Sequence, residues 1–222
     1  MKVILFGATG MVGKGVLLEC LDHEKVTEVL AVGRSELNIE DPKLKQVKHE
    51  NLMDLDPIKD DLNNYDACFF CIGVSAAGMN ETSYSRITYD YTLNVGKTLF
   101  ELNPEMTFTY VSGQGTDSSE NGRIMWARVK GKTENDLMKI GFSKAIMFRP
   151  GIIIPKRGIK SKTRLYQFFY DYFMWFLKII KVIWPDSVTD TTRMGKAMIN
   201  AHLYGKDQSI LNPKDINELA GK

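Results

Sequence analysis

The residues whose types and spacing most directly suggest chemistry are three glycines near the N-terminus. Gly7-Ala8-Thr9-Gly10-Met11-Val12-Gly13 is a G-x-x-G-x-x-G run that follows the apolar segment Val3 to Phe6 and opens an apolar-periodic stretch, Met11 to Leu21. At a strand-to-helix turn, glycines permit a tight reversal, close approach of the backbone to a pyrophosphate, and close packing of helix on strand. The helix N-terminus adds unpaired N–H groups for the anion. The chemistry is recognition of a dinucleotide; the alternative is a glycine-rich turn with a purely structural role, and the surrounding elements must separate the two.

The next strand ends narrow which dinucleotide. The second ends Ala31-Val32-Gly33-Arg34-Ser35, without the acid that would hold the ribose hydroxyls of NAD. Arg34 instead offers a fork of donors to a 2′-phosphate, a charge-assisted contact of about 1.5–3 kcal/mol. This favours NADP(H) over NAD(H), against the reading of Arg34 as a solvated loop charge. After the third strand, Asn51-Leu52-Met53-Asp54-Leu55 places Asp54 where a carboxylate accepts from an adenine amino group, or where it caps a helix opened by Asp56-Pro57. The fourth strand ends Cys71-Ile72-Gly73, with a glycine where the backbone must pass close to a cofactor ribose.

These residues need a scaffold that brings strand ends together. Apolar runs of strand length alternate with amphipathic stretches, giving strands at about 2–6, 27–32, 45–49, 66–72, 107–112 and 144–149. Helices are expected at about 11–22, 81–103, 122–140, 163–181 and 191–204. That alternation is the pattern of an α/β, Rossmann-type doubly wound parallel sheet, with ligands at the carboxyl ends of the strands. After Pro150 the alternation breaks into a helical third, so we expect a single domain over 1–222 in which 151–222 supplies a C-terminal helical cap on the substrate side.

Composition sets outer bounds. The 222 residues are 44% hydrophobic and 25% charged, and a net charge of +2 leaves no excess to neutralise a phosphate backbone, so nucleic acid is not an expected partner. Three cysteines, Cys20, Cys68 and Cys71, suit a reducing compartment. The apolar run before Gly7 is too brief for a secretory signal. Together these point to a cytoplasmic chain.

Taken in order, GATGMVG, VGR after strand two, MDL after strand three, CIG after strand four, YVSGQGTD at strand five, WARVKGKTE on the next helix and FRPGIIIP at strand six resemble the short-chain dehydrogenase/reductase superfamily in its atypical single-domain branch. Within that branch the chain is similar to small proteins labelled nucleoside-diphosphate-sugar epimerases and to Tat-interacting-protein-type oxidoreductases, whose helix also carries V-K-G-x-x-E. The resemblance implies a cofactor-binding set of Gly7, Thr9, Gly10, Met11, Val12, Gly13, Arg34, Asp54, Leu55, Cys71, Ile72, Gly73, Lys130, Pro150 and Gly151. The turn Arg149-Pro150-Gly151 would lie beside the nicotinamide.

It also implies a catalytic Ser, Tyr and Lys, with Tyr and Lys four apart on one helical face. Ser112 and Lys130 match, but the residue four before Lys130 is Trp126. An indole N–H donates a hydrogen bond but has no accessible pKa, and losing general acid catalysis typically forfeits about 10²- to 10⁴-fold in rate. Tyr84, Tyr89 and Tyr91 are the nearby phenols, and none has the required spacing. The plainer readings are that Lys130 only binds ribose, Ser112 satisfies a backbone group at the strand end, and Trp126 forms an apolar wall of the substrate pocket.

Other constellations carry less. Cys68 and Cys71 have CxxC spacing, yet residues three apart in a strand face opposite sides. His23, His49 and His202 are scattered, so no metal site is implied. Tyr166 to Trp184 reads YQFFYDYFMWFLKIIKVIW, which is open to three readings: a membrane span, an interfacial helix in peripheral contact with a membrane, or a lid helix that walls an apolar pocket and contacts a second subunit in a homodimer. Asp171, Lys178 and Lys181 argue against the span, and the lid is favoured.

The function expected is an NADP(H)-dependent oxidoreductase acting on a carbonyl or alcohol of an apolar small molecule. The alternative is a non-catalytic NADP(H)-binding sensor or regulatory interaction protein, and the third reading is a sugar-nucleotide epimerase, which the missing tyrosine disfavours.

Overall fold

The computed structural model describes residues 1–159, 187–205 and 208–222. The main sheet is parallel throughout and seven-stranded: β1 (Lys2–Phe6), β2 (Glu28–Gly33), β3 (Leu44–Lys48), β4 (Ala67–Phe70), β5 (Thr107–Val111), β6 (Lys144–Phe148) and, after a two-stranded accessory sheet, β9 (Ile210–Leu211). The accessory pair is β7 (Ile152–Ile154) with β8 (Val188–Asp190). Spatial order in the main sheet is β3-β2-β1-β4-β5-β6-β9, so the chain first winds to one side of β1 and then returns to its other side. Between β1 and β4 lies the switch point at which open α/β sheets bind ligands.

Strand periodicity divides the core in two. Val3, Leu5 and Phe69 face one layer, in which α1 (Met11–Asp22), α5 (Thr191–Tyr204) and α6 (Pro213–Leu219) bury Val16, Leu17, Cys20, Met194, Met198, Ile216 and Leu219. Ile4, Phe6, Cys68 and Phe70 face the other. That second layer holds a 3-10 turn (Asp56–Leu62), a helix running from Glu81 to Leu102, and α4 (Met125–Met138). The long helix comprises α2 (Glu81–Ser85), one π turn (Arg86–Asp90) and α3 (Tyr91–Leu102), and Asn80 caps its start by accepting from the Ser83 amide at 2.9 Å. Aromatic rings stack through this layer, Phe6 on Phe70 at 5.6 Å and Phe108 on Phe142 at 5.1 Å between centroids.

All six expected strands are present. The fourth stops at Phe70 rather than at residue 72, because the peptide after it swings against Gly7. The seventh strand, the accessory pair and α6 are additions the alternation did not reveal, and the 3-10 turn Asp56–Leu62 stands where Asp56-Pro57 is expected to open a helix. Part of the segment expected as a helical cap belongs to the sheet layers: α5 packs on α1, and β9 extends the main sheet beside β6. The aromatic segment Tyr166 to Trp184 and the helix expected at 163–181 lie outside the described residues. Among the described residues, no helix is long and apolar enough to cross a membrane.

Candidate functional site

The glycine run sits where β1 leaves the sheet. Gly7 has φ +85°, and a Cβ there would lie 2.9 Å from the Cys71 carbonyl and the Ile72 amide, so this turn crosses directly against the exit of β4. The Gly10 amide donates to the Gly7 carbonyl at 2.9 Å, closing the turn. Gly10 precedes α1 with no side-chain cap, which leaves the amides of Met11, Val12 and Gly13 without an intrahelical acceptor. A Cβ on Gly13 would lie 2.1 Å from the Gly7 carbonyl oxygen. The cradle is thus backbone-lined and electropositive, as a pyrophosphate requires.

Beside it runs a shallow open groove, bordered by Gly7, Ala8 and Thr9, by Gly33, Ser35, Glu36 and Leu37, and by Gln46 and Lys48 on β3. The Gln46 side-chain amide clamps the loop after β2, accepting from the Leu37 amide at 2.7 Å and donating to its carbonyl at 3.2 Å. Arg34 stands at the start of this loop, exposed and without an ion pair among the described residues. Glu36 and Lys48, which sequence reading missed, line the groove itself, because the turn after Gly33 and the register Gly33↔Lys48 bring them there. Asp54 is exposed and accepts from the Asp56 amide at 3.2 Å, while Leu55 is buried beneath it. The turn is further held by His49 Nε2, 2.7 Å from the Asp54 carbonyl.

Strand register brings the remaining residues to the same edge. Phe6, Phe70, Tyr110 and Met147 form one row across β1, β4, β5 and β6, so Gly7 and Cys71 emerge level with Val111 and Phe148, and Ser112 and Arg149 follow one residue further along the same edge. Ile72 and Gly73 continue the β4 exit, and no atom lies within 4 Å of a Cβ built on Gly73. Burial pushes the Cys71 thiol well up, as it does those of Cys20 and Cys68, leaving all three protonated. Pro150 is buried and accepts from the Gln114 amide at 2.8 Å. A Cβ on Gly151 would lie 2.4 Å from the Ser187 carbonyl, so close packing accounts for this glycine.

Ser112 and Lys130 come together beside Glu134, the acid that closes the V-K-G-x-x-E run and to which the sequence assigned no role. Glu134, fully buried, follows Lys130 by one turn on α4 and accepts the Ser112 hydroxyl at 2.5 Å. It also pairs with Arg149, whose Nε lies 3.1 Å from both carboxylate oxygens and whose Nη2 bonds Oε2 as well as Ser118 Oγ. Lys130 Nζ donates to the Ser112 carbonyl. Burial draws the Lys130 ammonium down to about 8, against the opposing pull of Glu134. The V-K-G-x-x-E run already held Glu134; its role could have been read from an acid four residues after Lys130 on a helix face whose other members, Val129, Thr133 and Leu137, are buried.

Trp126 is half-buried and its ring reaches over Gly115, where a Cβ would lie 3.4 Å away. The neighbouring phenols are engaged elsewhere. Tyr84 is buried, with its pKa raised by burial; Tyr89 donates to Asp136 at 2.9 Å; and Tyr91 packs against the second core layer. Among the described residues, no group of three His, Cys, Asp or Glu side chains is placed to hold a metal ion.

No family model matches the chain. The rat protein HTATIP2 is 27% identical over 158 residues, 70% of this chain and 64% of that protein, so the chain spans a little under two thirds of its relative's length. The fmp52-2 protein of Aspergillus terreus is 26% identical over 166 residues, covering 73% of this chain and 71% of that one. Among solved structures, a UDP-N-acetylglucosamine 4-epimerase from Methanobrevibacter ruminantium M1 superposes with TM-score 0.71 at 16% identity, covering 94% of this chain and 74% of that one. The Bordetella bronchiseptica enzyme WbmF, solved in complex with NAD+, gives 0.69 at 15%, covering 99% and 76%. The FMP52 relatives, from A. terreus and Debaryomyces hansenii among others, are named mitochondrial proteins, which overturns the expectation of a cytoplasmic chain. A sparse cysteine set speaks to redox conditions, not to the compartment that provides them. By sequence this chain is similar to the HTATIP2 and FMP52 proteins, and by fold it is similar to solved nucleotide-sugar epimerases and sugar-acid dehydrogenases.

Proposed function

We propose that the chain binds NADP(H) along the carboxyl edge of the sheet and acts as an oxidoreductase on a carbonyl or alcohol of an apolar small molecule. The observation that carries the binding half is the uncapped α1 N-terminus, entered through a turn whose glycines leave no room for a Cβ, at the β1/β4 switch point. On this reading Thr9 and the amides of Met11, Val12 and Gly13 hold the pyrophosphate. Asp54 and Leu55 border the adenine, Cys71, Ile72 and Gly73 pass the ribose, and Pro150 and Gly151 back the nicotinamide. Arg34, an exposed cation at the start of the loop that borders the groove, takes the 2′-phosphate; Glu36 in the groove is the competing acid that would favour NAD(H).

A bound nicotinamide dinucleotide supplies hydride transfer. The chain must supply orientation and a proton. Trp126 cannot exchange one, and the Ser112 hydroxyl is committed to Glu134. Lys130, with its ammonium drawn down to about 8, is the group beside Ser112 that can exchange a proton near neutral pH. Trp126 then serves as an apolar wall for the substrate.

The same two facts, a tryptophan in place of the tyrosine and a serine turned to a buried carboxylate, favour a second reading in which the chain binds NADP(H) without turnover, as a sensor or regulatory protein. Fluorescence titration with NADPH and NADH, on wild-type and Arg34→Ala protein, tests the cofactor assignment. Tighter NADPH binding that Arg34→Ala abolishes is expected, and equal affinities throughout would remove the phosphate contact. NADPH oxidation over a panel of apolar carbonyls separates the two readings: turnover supports the oxidoreductase, and binding without turnover supports the sensor.

A further inference from the structure

We infer that Glu134 is a positioning residue, which holds Lys130 at the ribose side of the cofactor cleft by fixing Ser112, to whose carbonyl the lysine donates, and by standing one helical turn from it. This rests on the NADP(H) reading above.

Ser112 is held from three directions. Its amide donates to the Phe148 carbonyl at 2.8 Å, its hydroxyl donates to Glu134, and its carbonyl receives Lys130 Nζ. Lys130 and Glu134 lie one helical turn apart on the inward face of α4, so the carboxylate governs the lysine both through this backbone relay and directly through its field. Glu134 also fastens Arg149, whose amide donates to the Leu211 carbonyl at 2.8 Å, and thereby locks the exits of β5 and β6 to α4.

A carboxylate with no exposed surface is costly unless fully bonded, and here every bond it makes serves the strand ends next to the cofactor cradle. The other ionisable groups around it are Arg149 from β6, the Tyr110 phenol from β5 and the Tyr84 phenol from α2. Both phenols are pushed up by burial and stay neutral. Glu134 is therefore the only anion facing two cations, among the described residues near this cluster. Removing its charge leaves Lys130 and Arg149 to repel each other.

The test compares wild type, Glu134→Gln, Lys130→Met and the double variant in NADPH titrations from pH 6 to 10. Thermal melts check folding, and NMR of ¹³C-dimethylated lysines follows Lys130 without cofactor. We expect Glu134→Gln to weaken NADPH binding about tenfold and to lower the Lys130 titration midpoint by about one unit or more. Adding it to Lys130→Met should cause little further loss. If Glu134→Gln fails to fold, Glu134→Gln/Arg149→Met, which also removes the Arg149 charge that Glu134 paired, takes its place with the same expectations. An unchanged midpoint, or a loss that adds fully to that of Lys130→Met, overturns the inference while the cofactor reading stands. A shifted midpoint in a protein whose wild type binds neither NADPH nor NADH supports the coupling and overturns the cofactor reading instead.

Discussion

Gly13 lies against Gly7 so closely that a Cβ on the first would sit 2.1 Å from the carbonyl oxygen of the second. No side chain fits there unless α1 moves off β1. Gly13→Ala should cost about 1–3 kcal/mol by overpacking and abolish NADPH binding. Gly33→Ala is the control: a Cβ there meets nothing within 4 Å, and its stability change should stay within about 0.5 kcal/mol. Chemical denaturation of both variants checks the contrast.

Gly73 separates fold from ligand. It is exposed and its Cβ would also meet nothing within 4 Å, so Gly73→Val should leave the melting temperature in place. If the exit of β4 passes the cofactor ribose, the same change should weaken NADPH binding about tenfold or more, the size expected from a steric clash of a few kcal/mol. Unaltered titration would move the ribose away from this strand end.

Lys130 is carried at a cost. Its ammonium is drawn from 10.5 down to about 8 by burial, so at pH 7 it is charged in an unfavourable place. Lys130→Met should raise stability by about 1–2 kcal/mol at pH 7, discounted for the partial exposure of the side chain, while NADPH affinity falls. The sign with pH follows. Between about 8 and 10.5 the folded wild type sheds a proton that the unfolded chain keeps, wild-type stability rises, and the advantage of the variant disappears. Denaturation curves at pH 7 and pH 10 test this.

His202 gives an acid-side prediction. Thr107 Oγ1 lies 3.0 Å from its Nδ1, and burial lowers its pKa below the ordinary 6.5. The folded state thus keeps the imidazole neutral where the unfolded chain already binds a proton. Its contribution is fully present above 6.5 and is lost as pH falls through that value toward the folded pKa. His202→Gln should flatten this loss, measured as the stability difference between pH 7 and pH 5.

The glycine motif was legible because its physics is local. A turn that needs φ +85° at Gly7 and a helix that needs an unobstructed N-terminus at Gly10 write themselves into consecutive residues. Central strands such as β1 and β4 were legible for the same reason, since a strand covered on both faces reads as a continuous apolar run, whereas the edge strand β3, LKQVK, carries a weaker signal. The two-residue β9 and three-residue β7 and β8 were not, because segments so short carry no periodicity.

The sequence by itself determined the six longer strands, the helices between them, the glycine turn that opens α1, and the presence of Ser112, Trp126 and Lys130 in the places a catalytic trio would occupy. It could not determine what those side chains face. That Ser112 turns to Glu134, that Arg149 closes the cluster, and that Glu36 and Lys48 share a groove with the glycine turn were decided by the tertiary structure. The reason is physical: a helix period places Glu134 beside Lys130, but only the parallel register of β5 and β6 brings Ser112 and Arg149 to the same carboxylate.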